Sequence, residues 1–235
     1  MKNFIIRYKL YILSAFALAE AAIYIAFMTV ECTSGANPVM LKYSGILLCL
    51  LTSALVCPAC GKDGIMLVCA FIFTAVSDLF IFVLDDFYEV GVSTFIVTQI
   101  FYFARIYLAL GKKPYISIAV RAVLAGAAML ALGLTGNLIT LTALVAIYFP
   151  MLVCNAVESA LLIKNSKIYI LFFVGLLLFI GCDICVGLNN FAGLGISLPA
   201  GVVSFVGIAM WAFYLPSQTL IALSARIPER TAYEK

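Results

Sequence analysis

Eight apolar runs, separated by short charged connections, fix what this chain can become. A helix needs about 20 apolar residues to cross a bilayer core, at a rise of about 1.5 Å per residue. Bounded by charge, Gly, Pro or Asn, the runs are Tyr8–Val30, Pro38–Val56, Gly64–Leu84, Val90–Leu110, Tyr115–Gly133, Leu138–Ile163, Ile168–Leu188 and Ala200–Ser224. No long Gly/Ser-rich or Pro-rich linker interrupts them; the punctuation is Cys57-Pro-Ala-Cys-Gly-Lys62 and Gly111-Lys-Lys-Pro114. The reading is an all-α, polytopic membrane bundle of eight transmembrane helices, with residues 1–235 forming a single membrane domain. Composition closes the alternatives. Charged residues make up 11% of the chain, against about 25% in soluble domains. A water-soluble enzyme, a nucleic-acid binder and a disordered tail are thereby excluded.

The basic residues set the orientation. With the N-terminus cytoplasmic, the inner connections and helix ends carry Lys2, Arg7, Lys9, Lys62, Arg105, Lys112, Lys113, Arg121, Lys164, Lys167, Arg226, Arg230 and Lys235. The outer side keeps only Lys42, just inside the second run, while Asp85, Asp86 and Glu89 crowd one outer loop. This asymmetry follows the positive-inside rule, so both termini are expected in the cytoplasm, with a bacterial cytoplasmic membrane as the default location. The first run follows Lys2, Arg7 and Lys9 but is too long for a signal-peptide core of about 7–15 residues, and is expected to stay as a helix.

Histidine is absent, which removes His-based zinc sites and Ser-His triads. The eight cysteines include two Cys-x-x-Cys pairs, Cys57/Cys60 and Cys182/Cys185. Helical rise separates them by roughly 20 Å in depth, so they read as small packing residues rather than one metal site. No metal and no cofactor are expected.

Ionisable side chains inside spanning helices are expensive and therefore candidates for function. Arg105 and Arg121 lie near inner helix ends and are expected to snorkel to the headgroups, with Glu158 also structural. Glu20, near mid-membrane, reads equally as an interhelical hydrogen bond or a site group. Asp78 and Asp183 differ from these. They lie 14 and 15 residues from the inner starts of their runs and so at matched depth. Their surroundings repeat: Val76-Ser-Asp-Leu-Phe80 with Phe87 and Gly91 downstream, then Gly181-Cys-Asp-Ile-Cys185 with Phe191 and Gly195 downstream. The separation of 105 residues spans four helices and suggests a weak four-plus-four internal repeat about an axis along the membrane normal. Thr94, Thr98, Gln99 and Tyr102 in the fourth run, Tyr148 and Asn155 in the sixth, and Tyr214 and Gln218 in the eighth add polar groups that suggest a polar cavity. Lys42, near the aspartates in depth, is placed either on a substrate phosphate or at the outer interface.

At these residues the chain resembles a known family. Phe73-Thr-Ala-Val-Ser-Asp78 with Phe87, Gly91, Phe95, Gln99 and Tyr102, then Leu176-Leu-Leu-Phe-Ile-Gly-Cys-Asp183, then Phe213-Tyr-Leu-Pro-Ser-Gln-Thr-Leu-Ile-Ala-Leu-Ser224 are similar to the signatures of the YhhN-like lysoplasmalogenases. The likeness runs from about Glu20 to Ser224. The chain departs from the family pattern at Gln99, where His is common, at Tyr43, where Pro often follows the lysine, and at Cys182, where Ser usually precedes the aspartate. What the resemblance implies is hydrolysis of the vinyl ether bond of a lysophospholipid substrate, giving a fatty aldehyde and glycerophosphoethanolamine or glycerophosphocholine. Asp78 and Asp183 would be the catalytic pair, and Lys42, Gln99, Tyr102, Asn155, Tyr214 and Gln218 the substrate-binding groups. The chemistry suits the inventory: protonation of the β-carbon gives an oxocarbenium ion that water captures, work for one acid and one carboxylate as in glycosidases. Membrane lipids are the other expected partners, and nucleic acid is not expected.

The alternative is a small-solute or proton-coupled transporter that uses the paired aspartates as a relay. Against it, Pro150 and Pro216 are the only mid-span prolines. An intramembrane aspartyl protease lacks its Gly-x-Gly-Asp signature here, since Asp183 follows Phe179-Ile-Gly-Cys.

Overall fold

The computed structural model describes residues 1–190 and 199–227. Phe191 and Gly195 of the second repeat half, and the basic Arg230 and Lys235, lie outside the described residues. Among the described residues, eight helices are each long and apolar enough to cross a membrane, and no strand occurs. They are α1 Lys2–Ser34, α2 Val39–Cys60, α3 Lys62–Asp78 continued by a π-helical turn Leu79–Val83, α4 Tyr88–Leu110, α5 Tyr115–Leu134, α6 Thr140–Leu162, α7 Tyr169–Asn189 and α8 Ala200–Leu223.

Two helices depart from the sequence reading, α1 at both ends and α2 at its second. α1 has 33 residues, roughly 50 Å of helix, so its basic first turns reach beyond a hydrocarbon core of about 30 Å. α2 does not stop at Val56 but runs through Pro58 to Cys60. In hydrocarbon an unbonded peptide group is too costly, so the helix holds until the chain can turn. It turns at Gly61, whose φ of 60° favours a residue without Cβ.

The helices pack α1 on α2, α2 on α3 and α3 on α4, then α5 on α6, α6 on α7 and α7 on α8, with α2 closed against α8 and α4 against α6. α1 also touches α8, and this contact has no α4–α5 counterpart of similar extent. Lipid-facing apolar side chains such as Leu18, Ile116 and Leu130 cover the outside. α5 is the most peripheral helix by its interior, burying only Ser117 and Arg121.

The α7–α8 seam rests on a small residue, as close helix crossings in membranes do. A Cβ placed on Gly175 would stand 2.7 Å from Ile221 Cγ1, 3.0 Å from the Ser217 carbonyl oxygen and 3.2 Å from the Ile221 nitrogen. Two of those three atoms are backbone, so rotamer changes cannot relieve the overlap. Gly175→Ala is expected to push α8 outward at a cost of about 1–3 kcal/mol, read as a lower Tm of the detergent-solubilised protein. An unchanged Tm would show the seam to be looser than these distances.

Candidate active site

Asp78 is the last α-helical residue of α3, and the π-helical turn begins directly after it. That turn carries a bond from the Leu84 N–H to the Leu79 carbonyl, at 2.9 Å. π-turns of this kind often mark functional sites. Ser77 Oγ donates to the Gly91 carbonyl at 2.6 Å and ties the end of α3 to α4. Asp78 is fully buried. The Tyr214 hydroxyl of α8 reaches both of its oxygens, at 2.8 Å to Oδ1 and 2.7 Å to Oδ2.

Asp183 on α7 has a parallel arrangement. The Tyr148 hydroxyl of α6 donates to its Oδ2 at 2.7 Å. Asp183 is half-buried. Each carboxyl therefore lies against a tyrosine, and each tyrosine stands two residues before a helical proline, Tyr148-Phe-Pro150 and Tyr214-Leu-Pro216. A proline lacks the N–H that would bond the carbonyl four residues earlier. The repeated Tyr-x-Pro is the sequence signal that would have found this pairing.

Aromatic rings join the two pairs. The Phe95 ring lies 5.8 Å from Tyr148 and 5.7 Å from Phe179, and Phe179 lies 5.6 Å from Tyr214. Beyond Tyr214, Trp211 follows at 5.8 Å and Phe82 of the π-turn at 6.0 Å. Phe95 and Phe179 entered only as members of the signature segments, and Phe82 and Trp211 not at all. Apolar aromatics in an apolar chain carry no signal until packing places them.

The other expected site residues fall into three groups. Lys42 is buried, not snorkelled. Its ammonium meets Glu31 Oε2 at 2.9 Å and Asn37 Oδ1 at 2.9 Å, and sits 4.3 Å above the Trp211 ring. Asn155 is held inside a network: its amide donates to Gln99 Oε1 and the Gln99 carbonyl, each at 2.9 Å, while its Oδ1 accepts from Arg121 at 2.8 Å. Tyr102 and Gln218 stay open. The Tyr102 hydroxyl, both amide atoms of Gln218, Gln99 Nε2, Ser53 Oγ and Ser217 Oγ are buried without a hydrogen-bond partner. Buried polar atoms are nearly always partnered, so each of these atoms has hydrogen-bonding capacity left for a polar ligand or water.

The snorkelling expected of Arg105 and Arg121 is corrected. Both turn inward, because carboxylates wait there. Arg105 Nε lies 2.8 Å from Asp63 Oδ1 and Arg121 Nη2 lies 2.8 Å from Glu158 Oε2. Ser117 also donates to Glu158. Glu20 makes the interhelical contact, accepting from the Cys49 thiol at 3.4 Å, while its Oε2 has no partner. All eight cysteines are free thiols. Among the described residues no group of three His, Cys, Asp or Glu side chains gathers as a metal site would.

Fold and site define a class: a multi-pass helical membrane protein whose interior holds two tyrosine-bound carboxyls joined by an aromatic wall. Within that class, the chain belongs to the YhhN family, which it matches over residues 37–225, from just before α2 to just after α8. No curated protein and no solved structure matches the chain.

Proposed function

We propose that this protein is a lysoplasmalogenase-like hydrolase that cleaves the vinyl ether bond of lysoplasmalogens in the membrane, with Asp78 and Asp183 as its acid–base pair. Family membership supports the reaction class. The observation that carries it is the pair of carboxyl–tyrosine contacts, Asp78–Tyr214 and Asp183–Tyr148, linked through Phe95 and Phe179. The corresponding helix neighbours of the two halves support a four-plus-four repeat as the origin of this doubled arrangement. The basic end of the bundle faces the cytoplasm in this reading.

A carboxylic acid delivers its proton to the β-carbon of the alkenyl ether, and the electron pair of the double bond forms the new C–H bond. The α-carbon becomes an oxocarbenium centre. The second carboxylate orients water for attack there and accepts one of its protons. The hemiacetal then collapses to fatty aldehyde and the free glycerol hydroxyl: the second carboxyl gives its proton to the departing glycerol oxygen, and the hemiacetal hydroxyl proton goes to the first carboxylate, which restores both groups. Aromatic faces favour nearby cations, so Phe95, Phe179 and the two tyrosines suit both the alkenyl chain and the positive charge that develops on it. The tyrosine hydroxyls fix the carboxyl orientation, and unpartnered Gln218 and Tyr102 offer hydrogen bonds to glycerol or phosphate oxygens.

The test is to offer purified protein a lysoplasmalogen and the ester-linked lysophospholipid of the same headgroup. Aldehyde from the first and no fatty acid from the second is the expected result. Absence of aldehyde, together with proton-coupled solute uptake in vesicles, would replace hydrolysis by transport.

A further inference from the structure

A cavity of about 1080 Å³ opens at the basic end of the bundle, away from the aspartates. Lys62 begins α3 and Asp78 ends it, so about 24 Å of helix separates the two levels. The phosphate of a lysophospholipid is only a few bonds from its vinyl ether. The same molecule cannot place its phosphate here and its ether at the aspartates.

The cavity wall takes cations from four separate segments: Lys9 from α1, Lys62 from α3, Lys167 from the α6–α7 connection and Arg226 after α8. A positive inner surface alone would scatter such residues around the rim. Here they converge on one hollow. Asp63, the single acid of the wall among the described residues, is already occupied. Its oxygens accept from Arg105 at 2.8 and 3.1 Å, from the Tyr169 hydroxyl at 3.5 Å and from the Arg226 N–H at 3.3 Å. Arg105 gives two more of its five donors to Ser224, at 2.8 and 2.7 Å. The floor is thus largely satisfied from within, and among the described residues the three lysines and the Arg226 guanidinium meet no carboxylate in the wall. Between the cations the lining is apolar, with Leu10, Leu13, Leu108 and Ile168.

We infer that this cavity binds the phosphodiester headgroup of an anionic glycerophospholipid, with the apolar lining holding the start of its chains. Basic pockets between spanning helices on the cytoplasmic side take such headgroups. The site is distinct from the aspartate pair and does not depend on the hydrolase reading.

The test uses the full chain in a neutral detergent and follows thermal unfolding against added lipid. Phosphatidylglycerol is expected to raise Tm saturably, and phosphatidylcholine of the same chains is not. Lys62, Lys167 and Arg226 are exposed, so the triple variant Lys62→Gln/Lys167→Gln/Arg226→Gln is expected to fold and to lose at least about tenfold in apparent affinity for phosphatidylglycerol. Raising salt on the unaltered protein from about 0.05 to 0.5 M should weaken the same response, a check that needs no variant. Parent-like affinity in the triple variant, or equal stabilisation by phosphatidylcholine, would overturn the site. The same saturable shift with inorganic phosphate would overturn the lipid assignment and leave a simple anion site. Aldehyde release is not the readout, so failure here leaves the hydrolase reading untouched.

Discussion

Asp78→Asn and Asp183→Asn proteins are each expected to fold and to release aldehyde from lysoplasmalogen at about 10²–10⁴-fold lower rates, the range that general acid–base catalysis supplies. The amide keeps the size of the carboxyl and can still accept from Tyr214 or Tyr148, whose hydroxyls hold the acids at 2.7–2.8 Å. It cannot give up a proton to carbon or take one from water. The loss should therefore fall on kcat more than on KM. Because both groups act in one reaction, the double variant should be scarcely worse than the poorer single variant. A purely structural role gives the opposite pattern, with poor folding but near-normal turnover in whatever protein survives. A folded Asp78→Asn or Asp183→Asn protein working within about tenfold of the parent rate would end the mechanism, since a required proton donor is worth more than that.

How much of this was legible beforehand differs between the path of the chain and its interior. The eight spans follow from apolar length, and the ends of α3 with its π-turn and of α4 to α8 fall within two residues of the apolar runs. The convergence of Lys9, Lys62, Lys167 and Arg226 at one end of the bundle follows the charge asymmetry. The rotation of each helix about its axis was much less visible. A helix facing lipid on one side and an apolar core on the other lacks the polar–apolar contrast that reveals its buried face. Only polar residues betray that face. Asp78, Tyr214, Asn155 and Gln99 did so: all four are buried, and they bond across helices as Tyr214 to Asp78 and Asn155 to Gln99. Asp63 and Glu31 escaped notice because each sits near a helix end, where a carboxylate reads as solvated. In the folded chain they neutralise Arg105 and Lys42. The π-turn after Asp78 had no local signature at all, since Leu79–Val83 is as apolar as any ordinary stretch of spanning helix.

The Arg105–Asp63 pair is expected to be the most costly single point in the bundle to break. Arg105 is 1% exposed, its guanidinium grips Asp63 with two hydrogen bonds and Ser224 with two more, and its centre lies 4.5 Å over the Phe172 ring. Through these contacts it ties α4 to α3, α7 and the end of α8. Removing one member of a buried ion pair typically costs about 3–5 kcal/mol, because the other charge is left desolvated. Asp63 keeps 15% of its side chain exposed, which favours the lower part of that range. Asp63→Leu should be worse than Arg105→Met. The first strands a buried guanidinium, whereas the second leaves a carboxylate with some access to water and with the Tyr169 and Arg226 donors still at hand. Thermal unfolding in detergent should show drops of order 10 °C for Asp63→Leu, at about 2–4 °C per kcal/mol for a chain of this size. The combined Arg105→Met/Asp63→Leu protein should recover much of the loss, since two apolar side chains of similar bulk leave no charge to desolvate. Additive losses in the double variant would mean that Arg105 acts through Ser224 and Phe172 alone, and that its ion pair with Asp63 contributes nothing to holding the helices together.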